Sequence, residues 1–196
     1  MIIKKITIEN FLCFYGINEL ELSDGLNIVL GENGEGKTKL FEAIEWLFSR
    51  TAEDLDSLVS EKALKERDEG EIFKVRVSII TEQFNEKKVV SKSFTVTKIS
   101  ENQVETSSLK IDGVVESRNG GRTPVDGQNL LDEIFPSEIR KYSMFKGESQ
   151  LDIFKNTDAL EILINNFSQA AKYFDKYSQK GKFLLSKAQK AVEDST

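Results

Sequence analysis

The sequence predicts an α/β fold, and three features of the 196-residue chain carry that prediction. A glycine-rich loop at residues 31–38 lies between an apolar run, Leu26–Leu30, and a segment with helical periodicity. Apolar and polar residues then alternate through much of residues 71–116, as in an antiparallel β meander with one buried face. Residues 156–196 place apolar side chains three and four positions apart, which is typical of a long helix.

The first third of the chain has the pattern strand, strand, strand, helix. Ile2–Ile8 is rich in β-branched residues, and Leu20 and Leu22 alternate with glutamates, so both segments are predicted strands. The run Leu26–Leu30 is almost continuously apolar, which predicts a third, buried strand. The helix after the loop is predicted from apolar residues at helical spacing, namely Leu40, Ala43, Ile44, Leu47 and Phe48.

The central part of the chain is predicted to consist mainly of strands. The polar, acidic residues 51–70 predict a loop with a short helix, and the meander of residues 71–116 follows. Turns are expected at Asn85–Lys88 and Asp112–Gly113. After the meander we expect, in order, a loop at 117–124, a helix at 128–134 and a short strand at 142–145.

The C-terminal segment has a different character. Apolar residues from Leu160 to Ala191 form a sustained heptad seam, which predicts a coiled-coil helix over residues 156–196. Asn156 and Asp158 are capping residues at its start. An amphipathic helix packed on the preceding domain is the alternative for the same pattern.

The composition excludes several classes of protein and site. Hydrophobic residues make up 39% and charged residues 31%, as in soluble globular proteins. One cysteine, Cys13, excludes an internal disulfide framework, and the absence of histidine excludes imidazole catalysis within these residues. No apolar run approaches the roughly 20 residues of a membrane span, and the N-terminus lacks a signal-peptide pattern. We therefore expect a cytoplasmic protein with no membrane partner. The net charge of −6 gives no global attraction to nucleic acid, although a local basic patch would suffice.

The glycine-rich loop carries the strongest chemical signal. Residues 31–38 are Gly-Glu-Asn-Gly-Glu-Gly-Lys-Thr. The glycines permit backbone angles that turn N–H groups inward around an anion, and the following helix directs the positive end of its dipole at the same point. In this pattern Lys37 reaches the β- and γ-phosphates of a nucleotide and the Thr38 hydroxyl binds Mg²⁺. The sequence therefore predicts a site for ATP and Mg²⁺.

Three segments, in this order, resemble the N-terminal lobe of SMC-type ATPases, the ABC-like coiled-coil ATPases of DNA repair, recombination and phage defence. The first is Asn-Phe-Leu-Cys-Phe-Tyr at residues 10–15, and the second runs from Gly25 through the loop to Ile44. The third is Tyr-Ser-Met-Phe-Lys-Gly-Glu at residues 142–148, which is similar to the Q-loop of that family.

The resemblance implies a P-loop ABC-type ATPase half-head. Its N-terminal lobe would occupy residues 1–155, with a Q-loop-like segment at 142–150, and the start of the coiled-coil helix would follow at 156–196. Thr38 would be a metal ligand. The nucleotide-binding residues that it implies are Leu12, Cys13, Gly31, Asn33, Gly34, Glu35, Gly36, Lys37, Thr38, Lys39 and Lys146.

The chain departs from the family pattern at three of these positions. Leu12 replaces a frequent arginine, so a phosphate contact is missing there. Lys146 aligns with the Q-loop glutamine, while Gln150 is out of register; either Lys146 contacts the γ-phosphate or water completes the magnesium shell. Glu35 places a carboxylate inside the loop where the family more often has a small residue.

The sequence lacks several parts of a complete ATPase site. In this family the signature loop, the Walker B Asp-Glu pair and the switch histidine belong to a C-terminal lobe beyond the coiled coil. Leu130–Glu133 imitates Walker B, but polar residues precede it where a buried strand is needed, so we interpret it as a surface helix. No catalytic residue is therefore assigned within the chain. The chain alone is expected to bind nucleotide weakly and to hydrolyse it poorly.

The resemblance also implies partners. A complementary C-terminal ATPase lobe would complete the head, and two heads would form a homodimer that sandwiches two ATP molecules. DNA is a further expected partner, and a nuclease or effector subunit is another candidate. The candidate DNA contacts are Lys87, Lys88, Arg118, Arg122, Lys180, Lys182, Lys187 and Lys190.

Three classes of function remain open from the sequence. The first is an ATP-driven coiled-coil machine that acts on DNA. The second is the ATPase module of an overcoming-lysogenisation-type nuclease. The third is a non-catalytic module whose nucleotide binding only orders a partner interface.

Overall fold

The computed structural model describes residues 2–50, 54–83, 86–101, 103–137, 140 and 144. The chain divides into two compact units, Met1–Pro136 and Ser137–Thr196, and the elements described below belong to the first. The strands are β1 (Ile2–Glu9), β2 (Ile17–Glu21), β3 (Ile72–Gln83), β4 (Glu86–Ser100), β5 (Gln103–Thr106), β6 (Lys110–Glu116) and β7 (Arg122–Asp126). The helices are α1 (Lys37–Phe48), α2 (Glu61–Lys65) and α3 (Gly127–Ile134), with a 3₁₀ turn at Asp56–Leu58.

The described strands form one antiparallel sheet with the order β2-β1-β3-β4-β6-β7, and β5 pairs with the C-terminal part of β4. The core of the sheet is the long β3–β4 hairpin, in which Val75 pairs with Phe94. The predicted alternation places one set of β3 side chains in the core, namely Phe73, Val75, Val77 and Ile79. The predicted α/β class with an antiparallel meander is confirmed, and so are the helices after the loop, within 51–70 and at 128–134.

Helix α1 packs against the sheet through an aromatic cluster. The Trp46 side chain is 3% exposed, and its ring centroid lies 5.1 Å from that of Phe11 and 6.2 Å from that of Phe94. Leu47 and Phe48 are buried in the same core. The C-terminal half of the helix that follows the glycine-rich loop is therefore fixed to β4 and to the turn that follows β1.

A buried lysine closes the C-terminal end of α1. Lys92 of β4 is 1% exposed, and its ammonium group donates to the carbonyl oxygens of Trp46 at 2.7 Å and Ser49 at 3.0 Å. The same ammonium lies 4.6 Å from the centroid of the Trp46 ring. The last carbonyls of a helix have no partner within the helix and carry the negative end of its dipole. Lys92 therefore compensates this end of α1 and ties it to the central strand.

The predicted buried strand at Leu26–Leu30 is wrong. The segment has no strand structure, and the exposed fraction of its apolar side chains runs from 47% at Val29 to 86% at Leu30. A strand buried on both faces needs neighbouring strands and a covering layer. No strand in the described part of the chain pairs with this segment.

Two predicted turns are also placed differently. Asp112 and Gly113 lie inside β6. The glycine lets the start of α3 pack closely on this strand, because a Cβ on Gly113 would come within 3.1 Å of the Gly127 backbone. Lys87 and Lys88 lie in β4 and not at a hairpin tip, since the β3–β4 pairing extends beyond them. The side chain of Lys88 forms an ion pair with the carboxylate of Glu133 at 2.5 Å.

Other predictions lie outside the described residues. They concern the strand and Q-loop-like segment at 142–150, of which only Met144 is described, and the coiled-coil helix at 156–196. Among the described residues, no helix has both the length and the apolar character that a membrane span requires.

Candidate functional site

The glycine-rich loop continues directly into the N-terminus of α1. Gly36 caps the helix with a φ of +89°, and Gly34 has a φ of +93°, which residues with a side chain rarely adopt. No side chain caps this helix, and its first turn contains no acidic residue. The N–H groups of that turn are therefore suited to an external anion, which the helix dipole also favours.

Two charged side chains bond to the backbone at the start of the loop. Nζ of Lys37 donates to the carbonyl oxygens of Gly31 at 2.5 Å and Glu32 at 2.6 Å. Oε2 of Glu35 accepts a hydrogen bond from the N–H of Glu32 at 2.7 Å. The loop thus has a self-bonded conformation in which the backbone of Glu32 bonds to both a cationic and an anionic side chain.

The turn after β1 is held in a tight conformation beside the loop. The side chain of Asn10, 3% exposed, donates to the carbonyl of Lys74 and accepts from the N–H of Gly16, both at 2.9 Å. Asn10 and Leu12 have positive φ angles of 52° and 50°, so the chain reverses sharply here. The N–H of Leu12 donates to the carbonyl of Leu58 at 2.8 Å, which joins the turn to the segment before α2.

A cleft of about 600 Å³ lies beside the loop on the side of Cys13. A Cβ on Gly36 would lie only 2.9 Å from Sγ of Cys13, so the cleft adjoins the start of α1. The volume falls in the range of about 300–1,000 Å³ that is usual for small-molecule sites. Its lining is mixed: it contains the apolar residues Leu12 and Val59 together with Cys13, Ser57, Ser60, Glu61, Lys39, Lys62 and Lys65.

The sequence did not reveal the far side of this cleft. Val59 and Lys62 reach it through an isolated β-bridge between Phe11 and Val59, a long-range pairing that no local pattern signals. Nζ of Lys62 lies 4.7 Å from the centroid of the Tyr15 ring. A hydrogen bond to the Glu66 carboxylate raises the pKa of the Tyr15 hydroxyl.

The structure brings the predicted loop residues together around the start of α1, and it places Leu12 and Cys13 next to them. Thr38 is exposed in the first turn of α1, and Lys39 lines the cleft while its Nζ pairs with Glu42 at 2.8 Å. These residues fit a nucleotide with Mg²⁺, since Mg²⁺ is usually held by one or two protein oxygens together with phosphates. Lys146 lies outside the described residues.

The acidic pair Asp132-Glu133 lies on α3, not at the end of a buried strand. The Asp132 carboxylate forms an ion pair with Arg50, and that of Glu133 with Lys88. Both contacts tie α3 to the rest of the fold, and we assign neither residue a catalytic role.

Replacing Gly36 by alanine should weaken ATP binding about fivefold or more. The left-handed backbone would cost about 1–2 kcal/mol, and the new Cβ would lie 2.9 Å from Sγ of Cys13. Gly70→Ala is a matched control, because Gly70 has a φ of +84° but nothing within 4 Å of its Cβ position. Equilibrium binding measures the ATP affinity of both variants, and urea unfolding measures their stability. Unchanged ATP affinity in Gly36→Ala would contradict it.

Comparisons with known proteins show the family to which the chain belongs. A family model described as an AAA domain matches residues 5–195. The chromosome partition protein Smc of Desulfitobacterium hafniense (strain Y51) is 44% identical over 45 residues, which are 23% of this chain and 4% of that protein. The chain therefore spans a small fraction of the length of this curated relative. One solved structure, from work described as "Structural biochemistry of ATP-driven dimerization and DNA stimulated activation of SMC ATPases", has a TM-score of 0.49 and 14% identity, over 86% of this chain and 100% of the other.

Proposed function

The chain belongs to the AAA domain family, and from that premise we propose that it binds ATP with Mg²⁺ at residues 31–38 as the N-terminal lobe of an SMC-type ATPase head. The observation that carries the proposal is the uncapped N-terminus of α1, preceded by two glycines with positive φ and beginning with Lys37. The similarity to a chromosome partition protein Smc supports the SMC-type assignment.

The residues of the loop bind and orient the triphosphate. Lys37 exchanges the carbonyls of Gly31 and Glu32 for β- and γ-phosphate oxygens, and the amides of the first turn of α1 donate to the same phosphates. The hydroxyl of Thr38 would hold Mg²⁺, which would supply positive charge to neutralise the phosphates. The loop thereby fixes the γ-phosphate at the positive end of the helix dipole.

The cleft beside Cys13 accommodates the nucleoside. Leu12 and Val59 offer apolar surface for a base. Lys62 and Lys65 also line the cleft, where they form ion pairs with Glu66 at 3.7 Å and Glu61 at 3.6 Å. The volume of about 600 Å³ is sufficient for a base and ribose.

The exposed apolar run before the loop supports a complementary lobe as a partner. Leu26, Ile28 and Leu30 are 84%, 70% and 86% exposed, although they lie next to the proposed site. Burying apolar surface contributes about 25 cal/mol per Å², so a lobe that covers this run gains free energy of association. A C-terminal ATPase lobe would supply neighbouring strands here together with the groups that orient the attacking water. Two completed heads would then form a homodimer that sandwiches two ATP molecules.

The complete protein would use ATP to change the conformation of a coiled-coil machine that acts on DNA, in repair, recombination or defence against phage. The name of the Smc relative supports a role on chromosomes. The proposed DNA contacts in the described part of the chain are the exposed residues Lys87, Arg118 and Arg122. Arg122 also pairs with Glu116 at 3.5 Å, and the remaining candidate, the half-buried Lys88, pairs with Glu133 at 2.5 Å. A nuclease or effector subunit is a further proposed partner.

The proposal is tested by measuring ATP hydrolysis by residues 1–196, with and without a complementary C-terminal lobe. We expect the completed head to be at least about 100-fold faster, the usual effect of positioning an acid or base. Lys37→Ala in the completed head should abolish the increase.

The other outcomes are equally informative. Rapid hydrolysis by residues 1–196 alone would place a complete active site inside them, and the structural role of Asp132 and Glu133 would be the first assignment to fail. ATP binding without turnover in the completed head would favour a nucleotide-sensing module instead.

A further inference from the structure

The carboxylate of Glu35 folds back over the phosphate loop. Its Oε2 accepts a hydrogen bond from the N–H of Glu32 at 2.7 Å. The same oxygen lies 2.5 Å from the place that a Cβ on Gly31 would occupy, so only glycine leaves room for it. The carboxylate therefore lies against the loop backbone, although the residue remains exposed.

The cation of the loop is attached to the same stretch of backbone. Nζ of Lys37 donates to the carbonyls of Gly31 and Glu32 at 2.5 Å and 2.6 Å. A backbone N–H of the loop is thus already bonded to an anion, and the lysine that must reach the phosphates is bonded to carbonyls beside that anion. A triphosphate that enters the loop is repelled by the Glu35 carboxylate. Lys37 must also break its hydrogen bonds to the two carbonyls before it can bind the phosphates.

We propose that Glu35 is an internal anion that competes with the phosphates of the nucleotide and holds the free loop in an autoinhibited, self-bonded conformation. This inference rests on the proposed function, because it concerns the affinity of the same site. Two like charges about 5 Å apart in water repel enough to change an affinity about fourfold. The competition is weakened by salt, since both groups are exposed.

The test is the dissociation constant of a fluorescent ATP analogue with Mg²⁺, measured on the full-length protein and its Glu35→Gln variant. The amide has nearly the shape of the carboxylate but no charge, so we expect binding about three- to tenfold tighter at low salt. The difference should shrink to less than about twofold at 1 M salt, where the Debye length is about 3 Å.

Glu32→Gln is the matched control, because it removes one negative charge from the same loop. It leaves the hydrogen bond between the Glu35 carboxylate and the backbone N–H of residue 32 in place. We expect a clearly smaller gain in affinity from it. Equal gains in the two variants, or no gain in Glu35→Gln, would overturn the role of Glu35. Binding that survives unchanged in Lys37→Ala would instead overturn the proposed function, so the two failures are distinguishable.

Discussion

Replacing Lys37 by alanine should weaken the binding of ATP with Mg²⁺ by about 10- to 100-fold. A hydrogen bond to a charged group is worth about 1.5–3 kcal/mol, and Lys37 is the proposed donor to the β- and γ-phosphates. The substitution should leave the free energy of unfolding within about 0.5 kcal/mol of the wild type, because Lys37 is exposed. Equilibrium binding of a fluorescent ATP analogue and urea unfolding measure the two quantities.

Lys74→Ala is the control for this experiment. It removes the same charge from an exposed position on β3, where the side chain has no part in the proposed site. We expect less than about a twofold change in affinity from it, since isolated surface charges act weakly at moderate salt. Equal losses in the two variants would mean that net charge, and not the position of Lys37, governs binding.

The sequence was sufficient where a local pattern has a local cause. The loop at 31–38 has the spacing of glycines and lysine that is typical of a phosphate-binding loop. The structure places it directly before α1, which begins at Lys37. The alternation in β3 likewise follows from one buried face. The resemblance to SMC-type ATPases is confirmed by the family match over residues 5–195 and by the 45-residue similarity to an Smc protein.

The sequence was insufficient where the outcome depends on a distant partner. The run Leu26–Leu30 has the composition of a buried strand, but burial requires neighbouring strands that the described residues do not provide. The helix periodicity of α1 omitted Trp46. It is buried because it packs on Phe11, from the turn after β1, and on Phe94 of β4, both far away in the sequence. Lys92 lies on the core face of β4, between Val90 and Phe94, where the alternation calls for an apolar residue. Only the carbonyls at the end of α1 explain why a lysine is buried there.

These two residues connect the aromatic core to the proposed site. Trp46 lies at the C-terminal end of the helix whose first residue is Lys37, and Lys92 fixes that end to the central strand. A helix anchored at its C-terminus presents its N-terminal amides in one orientation, which an anion site requires. The packing of Trp46 is therefore expected to stabilise the fold that supports the loop, without contacting the nucleotide.

Replacing Trp46 by alanine should lower the free energy of unfolding by about 3–5 kcal/mol, the usual cost of truncating a large buried aromatic residue. The side chain is 3% exposed, packs on Phe11 and Phe94, and lies under the ammonium of Lys92, so the substitution leaves a cavity and removes a cation–π contact. Trp46→Phe should cost about half as much, because a ring still fills part of the space.

Ile72→Ala is the control, since Ile72 is 67% exposed and should change stability by less than about 1 kcal/mol. Urea unfolding ranks the three variants, and a Trp46→Ala protein as stable as Ile72→Ala would contradict the anchoring role. ATP affinity, measured where Trp46→Ala is still folded, should fall less than in Lys37→Ala, because the indole acts only through the position of the helix.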